Sequence, residues 1–248
     1  MHSPDDSTSD LAASDSGLET RIDAVLARID RAAERAGRDP QEVTVLLATK
    51  TRTAGEVAEA VAVLQQRGRP LAVGENRAQE IAKHADPELA GSTVPRHFIG
   101  RIQTNKAKDV VAFADVVESV DRDGLIAALE RRCELADVTR PVMIQVNTSG
   151  EESKGGYPPE TAAVAAALDQ VADSAHLEAV GLMTIGANTT DEQAVRESLS
   201  LLRRLRDDLD RPGVRELSMG MSTDLEIAVE EGATIVRVGS AVFGPRPV

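Results

Sequence analysis

The chain has 248 residues and a formal net charge of −13 at pH 7, which disfavours nucleic acid and anionic membrane surfaces as partners, because both need a basic field that neutralises phosphates. Its single cysteine excludes an intrachain disulfide, and no window approaches the roughly 18 apolar residues of a membrane span or shows a secretory signal. We therefore expect a cytoplasmic protein that does not bind to membranes and holds any anionic ligand by local contacts.

The N-terminal segment differs in composition from the rest of the chain. Residues 1–17 are polar, acidic and rich in serine, so they bury too little apolar surface to offset the entropy cost of ordering them. We predict a disordered acidic tail over residues 1–17. From Leu18 to Ala36, apolar residues recur at helical spacing and the pattern ends at Gly37, which predicts an extra N-terminal helix.

Short β-branched runs then alternate with amphipathic helical runs, for example at 54–66, 122–136 and 191–209. Eight such βα units in about 250 residues are typical of a closed barrel. An open doubly wound sheet would typically have a Gly-rich turn after its first strand, and this chain has none there. We therefore predict an α/β fold, a single (β/α)8 TIM barrel, over residues 18–248. The predicted strands are 43–49, 71–76, 96–100, 115–120, 142–147, 177–185, 215–219 and 234–239.

The active site of such a barrel lies at the C-terminal ends of its strands. After strand 7, the chain passes through Gly220 to a predicted helix start, and strand 8 ends at Gly239 and Ser240. Phosphate sites in barrels recur after strands 7 and 8, where backbone N–H groups point at the anion. An alternative is that Ser222 and Thr223 only cap a helix, because residues 223–226 have the spacing of a capping box.

Lys50 ends the apolar run of the first strand, and this strand lies beside strand 8 in a closed barrel. An unprotonated amine attacks an aldehyde, and pyridoxal phosphate carries both an aldehyde and a phosphate. A phosphorylated sugar is the alternative ligand. Arg237 alternates with Val236 and Val238, so we expect it inside the barrel. There it needs a partner, either a pyridine nitrogen or a barrel acid such as Glu75.

Several segments of the chain have a characteristic sequence and order. They are ATKT with Lys50, GENRAQE (74–80), HFIGRIQTNK (97–106), NTSGEESKGG (147–156), GLMTIG (181–186), SMGMSTD (218–224) and VRVGSAVFG (236–244). These segments resemble the pyridoxal phosphate homeostasis protein family, also called YggS or PROSC, whose fold is similar to the N-terminal barrel of alanine racemase. The resemblance runs from the first helix to the C-terminus.

The resemblance implies roles for residues of this sequence. Lys50 would be the Schiff-base lysine, and Arg237 would face the pyridine nitrogen. The phosphate would be held by Ser218, Ser222, Gly239 and Ser240, and the ring would have Asn76 and Met219 beside it.

The resemblance also implies a pyridoxal phosphate carrier and regulator without an established reaction, which passes the cofactor to apo-enzymes. We expect a monomer, no catalytic residues and no metal site. The alternatives are a racemase of low activity or a Schiff-base aldolase. Related racemases take a second base, a tyrosine, from an added domain, and Tyr157 is the one tyrosine of this chain. A purely structural interaction module is the third possibility, for which the Lys50→Ala change affects local stability alone.

Overall fold

The computed structural model describes residues 7–151 and 153–245, with side chains from Gly17 onward. Eight parallel strands close into one barrel, in which each strand pairs with the next and the last pairs with the first. The predicted (β/α)8 barrel with an additional N-terminal helix is confirmed. The strands are β1 (Thr44–Ala48), β2 (Leu71–Glu75), β3 (Arg96–Phe98), β4 (Val116–Val120), β5 (Arg140–Gln145), β6 (Leu177–Met183), β7 (Glu216–Ser218) and β8 (Ile235–Val238).

The helices surround this barrel, and three 3-10 segments lie in its loops at Pro40–Glu42, Ala78–Ala85 and Thr104–Lys106. No helix in the described part of the chain combines the length and apolar composition that a bilayer crossing requires. The helices are α1 (Ser7–Arg35), α2 (Ala54–Gln66), α3 (Pro87–Ala90), α4 (Ala107–Phe113), α5 (Asp123–Ala136), α6 (Thr161–Ala172), α7 (Glu192–Leu209), α8 (Leu225–Glu230) and α9 (Ser240–Phe243).

The predicted disordered tail overlaps the first helix. The backbone is helical from Ser7, upstream of Leu18 where the apolar pattern begins, and residues 1–6 lie outside the described residues. Extending an existing helix needs no new nucleus, so good helix formers such as Leu11 and Ala12 continue it at little cost. The domain boundary at residue 17 stays a prediction.

Side chains of the strands alternate between the barrel interior and the layer beneath the helices. The interior cluster includes Leu46, Ile99 and Met183, whereas Val236 and Val238 belong to the outer core that the helices cover. Arg237 lies between these two valines and opposite Leu46 in the β1–β8 register. The prediction that Arg237 points into the barrel is therefore confirmed.

Helix α1 packs on α8 and α9, the two helices that follow the last two strands. Its apolar stripe is buried, with Ile22 and Ile29 at most 1 % exposed. The guanidinium of Arg28 pairs with Glu226 on α8 at 2.6 Å and donates to the Ser222 carbonyl at 2.9 Å. The N-terminal helix thus supports the loops at one side of the barrel mouth.

Candidate functional site

A cavity of about 370 Å³ opens at the C-terminal ends of β1 and β8. It brings together Lys50 from the loop after β1, Asn76 from the loop after β2, and Arg237 from β8. The loops after β7 and β8 complete it. The remaining predicted site residues that line the cavity are Ser222, Gly239 and Ser240.

A wider cleft of about 1060 Å³ borders this cavity and shares Ile185, Met221 and Thr223 with it. The arginines that line the cleft are already paired with acids of α8. Arg196 and Arg35 bind Glu230 at 2.6 and 2.7 Å, and Arg28 binds Glu226 at 2.6 Å. We therefore place the candidate site in the smaller cavity, which contains Lys50.

Lys50 lies in a sharp turn that follows β1. The next residue, Thr51, has φ +66°, a conformation that non-glycine residues seldom adopt. Lys50 is half-buried, and its amine has no hydrogen-bond or ion-pair partner among the described residues. The side chain is therefore available to a ligand in the cavity.

Contacts behind the turn keep it in place. The hydroxyl of Thr49 donates to the buried carboxylate of Glu75 at 2.5 Å. The amine of Lys83 donates to two carbonyls of the turn, those of Thr49 at 2.7 Å and Arg52 at 3.2 Å. The residues on both sides of Lys50 are thus held by hydrogen bonds to β2 and to the segment that follows it.

The loops after β7 and β8 meet at a pair of serines. Ser222 Oγ accepts from the N–H of Ala241 at 3.3 Å and from the hydroxyl of Ser240 at 3.5 Å. The hydroxyl proton of Ser222 has no acceptor among the described residues. This free hydroxyl donor of Ser222 suits an anionic group.

The alternative of a capping box at residues 223–226 is wrong. Helix α8 begins at Leu225, and its N-cap residue, Asp224, makes no side-chain cap to the helix. The Asp224 carboxylate instead accepts from the N–H of Met221 at 2.6 Å. The carboxylate of Glu226, which the box would need, is bound by Arg28 of α1. Ser222 and Thr223 are therefore not occupied as caps.

Arg237 is 6 % exposed and uses two nitrogens to bind the barrel wall. Its Nη1 donates to Ser218 Oγ at 2.7 Å and its Nη2 to the Thr184 carbonyl at 2.6 Å. Ser218 in turn donates to Glu118 at 2.5 Å, and His97 Nδ1 lies 2.5 Å from the other oxygen of that carboxylate. The acid that balances Arg237 is thus Glu118, reached through a serine.

The alternative of an Arg237–Glu75 pair is therefore wrong. Strand side chains alternate, and Gly74 faces the interior residue Leu46, so Glu75 points to the outer side of β2. There it accepts from His84 at 2.8 Å and lies 3.2 Å from the amine of Lys83.

Burial affects the two charged interior groups differently. Burial lowers the pKa of Arg237, although the charge of Glu118 opposes this, and a guanidinium stays protonated at neutral pH. Burial also disfavours the Glu118 carboxylate, but the hydrogen bond from His97 and the charges of His97 and Arg237 outweigh it. The pKa of Glu118 therefore lies below its ordinary value of 4.5.

The family model described as alanine racemase, N-terminal domain, matches residues 20–247. The pyridoxal phosphate homeostasis protein of Pseudomonas aeruginosa is 41% identical over 232 residues, which cover 93% of this chain and 96% of that protein. The protein of the same name from Aquifex aeolicus is 38% identical over 229 residues, covering 91% and 97%.

The chain belongs to the pyridoxal phosphate homeostasis protein family. A solved structure of PipY from Synechococcus elongatus with pyridoxal phosphate bound is 30% identical to it, with a TM-score of 0.71. The match covers 88% of this chain and 100% of the PipY chain.

Two of the residues that the sequence predicts for the site, Ser218 and Met219, do not line the cavity. Ser218 is fully buried, and its hydroxyl is used by Arg237 and Glu118. Met219 is also fully buried and belongs to the outer core, because successive strand residues face opposite sides. Met221, two residues later and 39% exposed, lines the cavity instead.

Glu118 is the functional candidate that the sequence pattern missed in this family member. Its neighbour Ser119 lies nearer the C-terminal end of β4, but its hydroxyl donates to the Gly100 carbonyl at 2.6 Å. The sequence did contain an indication of Glu118: it is an acid inside the apolar run of β4, and a buried charge needs a partner. No group of His, Cys, Asp and Glu among the described residues is arranged to hold a metal ion.

Other polar residues of the mouth are already engaged. The amine of Lys154 donates to Glu151 at 2.6 Å and to the Gly186 carbonyl at 2.7 Å. The hydroxyl of Tyr157 donates to Asp123 at 2.7 Å. Burial and this carboxylate raise the pKa of Tyr157 above its usual range, so the phenol is poorly suited to act as a base.

Proposed function

We propose that this protein binds pyridoxal phosphate in the Lys50 cavity, as a Schiff base on Lys50, and takes part in intracellular homeostasis of the cofactor. One observation carries the proposal: an amine with no partner among the described residues shares a cavity with a pair of serines and a buried arginine. The names of the relatives and the ligand of PipY support it.

The residues of the cavity fit the chemical groups of this cofactor. Ser222, Gly239 and Ser240 offer hydroxyl and backbone donors for the phosphate. Arg237 would direct its remaining N–H groups to the ring nitrogen, and Asn76 would lie beside the ring. When bound, the cofactor would supply the aldehyde with which the Lys50 amine forms the Schiff base. Ser218 is left out of the phosphate site, because its hydroxyl is already used by other side chains.

A carrier fits the site better than a racemase. Arg237 keeps its proton, so it donates to the ring nitrogen and leaves that nitrogen unprotonated, which weakens the ring as an electron sink. A racemase also needs a second base, and Tyr157, the earlier candidate, is bound to Asp123. Transfer to apo-enzymes, a cytoplasmic location and a monomeric state stay predictions.

The first test compares the wild type with Lys50→Ala after incubation with pyridoxal phosphate and removal of the excess. A visible Schiff-base band in the wild type, lost in Lys50→Ala and trapped by borohydride on the peptide of Lys50, is the expected result. Lys108→Ala is the control, because Lys108 is exposed and does not line the cavity. A band of equal strength in Lys50→Ala, or none in the wild type, overturns the proposal.

The second test separates a carrier from an enzyme. The loaded wild type is incubated with L-alanine and optical rotation is followed, and in parallel with sugar phosphates whose cleavage is measured. We expect neither a loss of rotation nor cleavage. Turnover that Lys50→Ala abolishes would replace the carrier with the racemase or aldolase alternative.

A further inference from the structure

A buried chain of four side chains crosses the interior of the barrel and ends at the cavity. It consists of His97, Glu118, Ser218 and Arg237, joined by contacts of 2.5, 2.5 and 2.7 Å. The two middle members are fully buried, and the two ends are 6 % exposed. We propose that Glu118 is a positioning residue that, through Ser218, aims the Arg237 guanidinium at the ring of the bound cofactor.

The serine hydroxyl gives the chain a direction. A hydroxyl has one proton and accepts with its lone pairs. An ionised carboxylate only accepts hydrogen bonds, so the Ser218 hydroxyl donates its proton to the hydrogen bond with Glu118. The lone pairs of the Ser218 oxygen then point toward Arg237. The serine thereby accepts from Nη1, as the 2.7 Å contact shows. Without an acceptor at Glu118, the hydroxyl is free to rotate.

Two anchors determine how the guanidinium lies. Nη1 is held by Ser218, and Nη2 by the Thr184 carbonyl at 2.6 Å. A guanidinium has five N–H donors in one plane, so two fixed bonds set the plane and leave the other donors for the cavity that Arg237 lines. Losing the Ser218 anchor leaves one bond, about which the plane can turn.

Charge gives Glu118 a second effect on the same arginine. A buried cation without a nearby anion is costly, so an unbalanced guanidinium is drawn toward solvent. The Glu118 carboxylate lies one hydroxyl away from Arg237 and, with the smaller contribution of the Asp224 charge, keeps it within the barrel. His97 binds the other carboxylate oxygen, which fixes the orientation of Glu118 in turn.

This inference rests on the proposed function and predicts an effect confined to the ring. Two ligands distinguish it: pyridoxal phosphate, and the corresponding aldehyde phosphate with a benzene ring in place of pyridine. Both have the aldehyde and the phosphate, but the second has no ring nitrogen for Arg237. A change that only loosens the fold would weaken both ligands alike.

The experiment measures dissociation constants of both ligands by absorbance titration for the wild type, Glu118→Gln and Ser218→Ala. We expect both variants to bind pyridoxal phosphate about tenfold more weakly, since a hydrogen bond to a charged group is lost, with the benzene analogue unchanged. The double variant should be no weaker than the weaker single variant, because one chain is broken twice. Ser218→Thr, which retains the hydroxyl, should restore binding.

Ser200→Ala is the matched control, because Ser200 is a buried serine on α7 whose hydroxyl donates to the Glu197 carbonyl at 3.2 Å, away from the chain. Equal weakening of both ligands, or a Ser218→Ala variant that behaves like Ser200→Ala, overturns the inference. If Glu118→Gln does not fold, the Ser218→Ala variant alone tests the inference, since it retains the charges of both Glu118 and Arg237. A wild type without the Lys50 band would instead refute the proposed function.

Discussion

Gly220 shows how one residue shapes the mouth of the barrel. It follows β7 with φ +87°, and a Cβ added there would lie 2.2 Å from the Cβ of Ala228. We expect Gly220→Ala to lower the free energy of unfolding by about 2–4 kcal/mol, because it adds a steric clash to a strained backbone. Urea denaturation measures this, and the shifted Ser222 turn should also weaken cofactor binding.

Gly68 provides the matched control for this substitution. It has φ +65°, but a Cβ added there meets nothing within 4 Å. Gly68→Ala should therefore cost only the backbone strain of about 1 kcal/mol. Equal losses in the two variants would show that contact with Ala228 has no part in the role of Gly220.

At the scale of whole elements, an ion pair joins the first helix to α8. Arg28 binds both oxygens of Glu226 at 2.6 Å, and the two side chains are 25% and 33% exposed. The hydrogen bond from Arg28 is the main reason why the pKa of Glu226 lies below its ordinary value of 4.5. We expect Glu226→Gln to cost about 1 kcal/mol of stability at pH 7.

The pH dependence of this pair follows from the direction of the shift. A carboxylate with a lowered pKa in the folded state stabilises the fold above its unfolded value, about 4.5, and loses this effect as the pH falls through the folded value. The difference between wild type and Glu226→Gln should thus shrink below pH 4.5, which denaturation at several pH values measures. Glu42→Gln is the control, since Glu42 is 60% exposed and 3.6 Å from Arg38. A difference independent of pH would contradict the pairing.

At the scale of the whole molecule, the N-terminal helix from Leu18 onward is part of the domain, whereas the acidic residues 1–17 are expected to be dispensable. Leu18, Ile22, Val25, Leu26 and Ile29 are all at most 7 % exposed. Burying such a side chain contributes about 1.5–3 kcal/mol, which together approaches the 5–15 kcal/mol stability of a typical domain.

Two deletions test this division. Removal of residues 1–17 should change the free energy of unfolding by less than about 1 kcal/mol and leave cofactor affinity unchanged, because the apolar pattern of the sequence begins at Leu18. Removal of residues 1–35 should prevent folding, since α8 and α9 lose their cover. Circular dichroism during thermal unfolding distinguishes the two. Equal damage from both deletions would place the boundary upstream of residue 17.

The sequence by itself determined the barrel and the inward position of Arg237. Both depend on periodicity, because a period of two places a strand residue on one side of the sheet and a helical period marks the covering layer. The apolar run that ends at Lys50 likewise indicated a lysine at the rim, and the structure places it in the cavity. The family resemblance added the ligand, which periodicity does not specify.

Only the tertiary structure decided which side chains meet. Glu118 and Ser218, which are 100 positions apart, connect because β4 and β7 belong to the same closed barrel and both side chains enter its interior. Arg28 binds the carboxylate of Glu226, although the two residues are 198 positions apart, so this carboxylate does not form the capping box that the local sequence suggests. Local patterns report which face a residue occupies, whereas its partner depends on how the barrel closes. A buried charge binds whichever opposite group that closure places within reach.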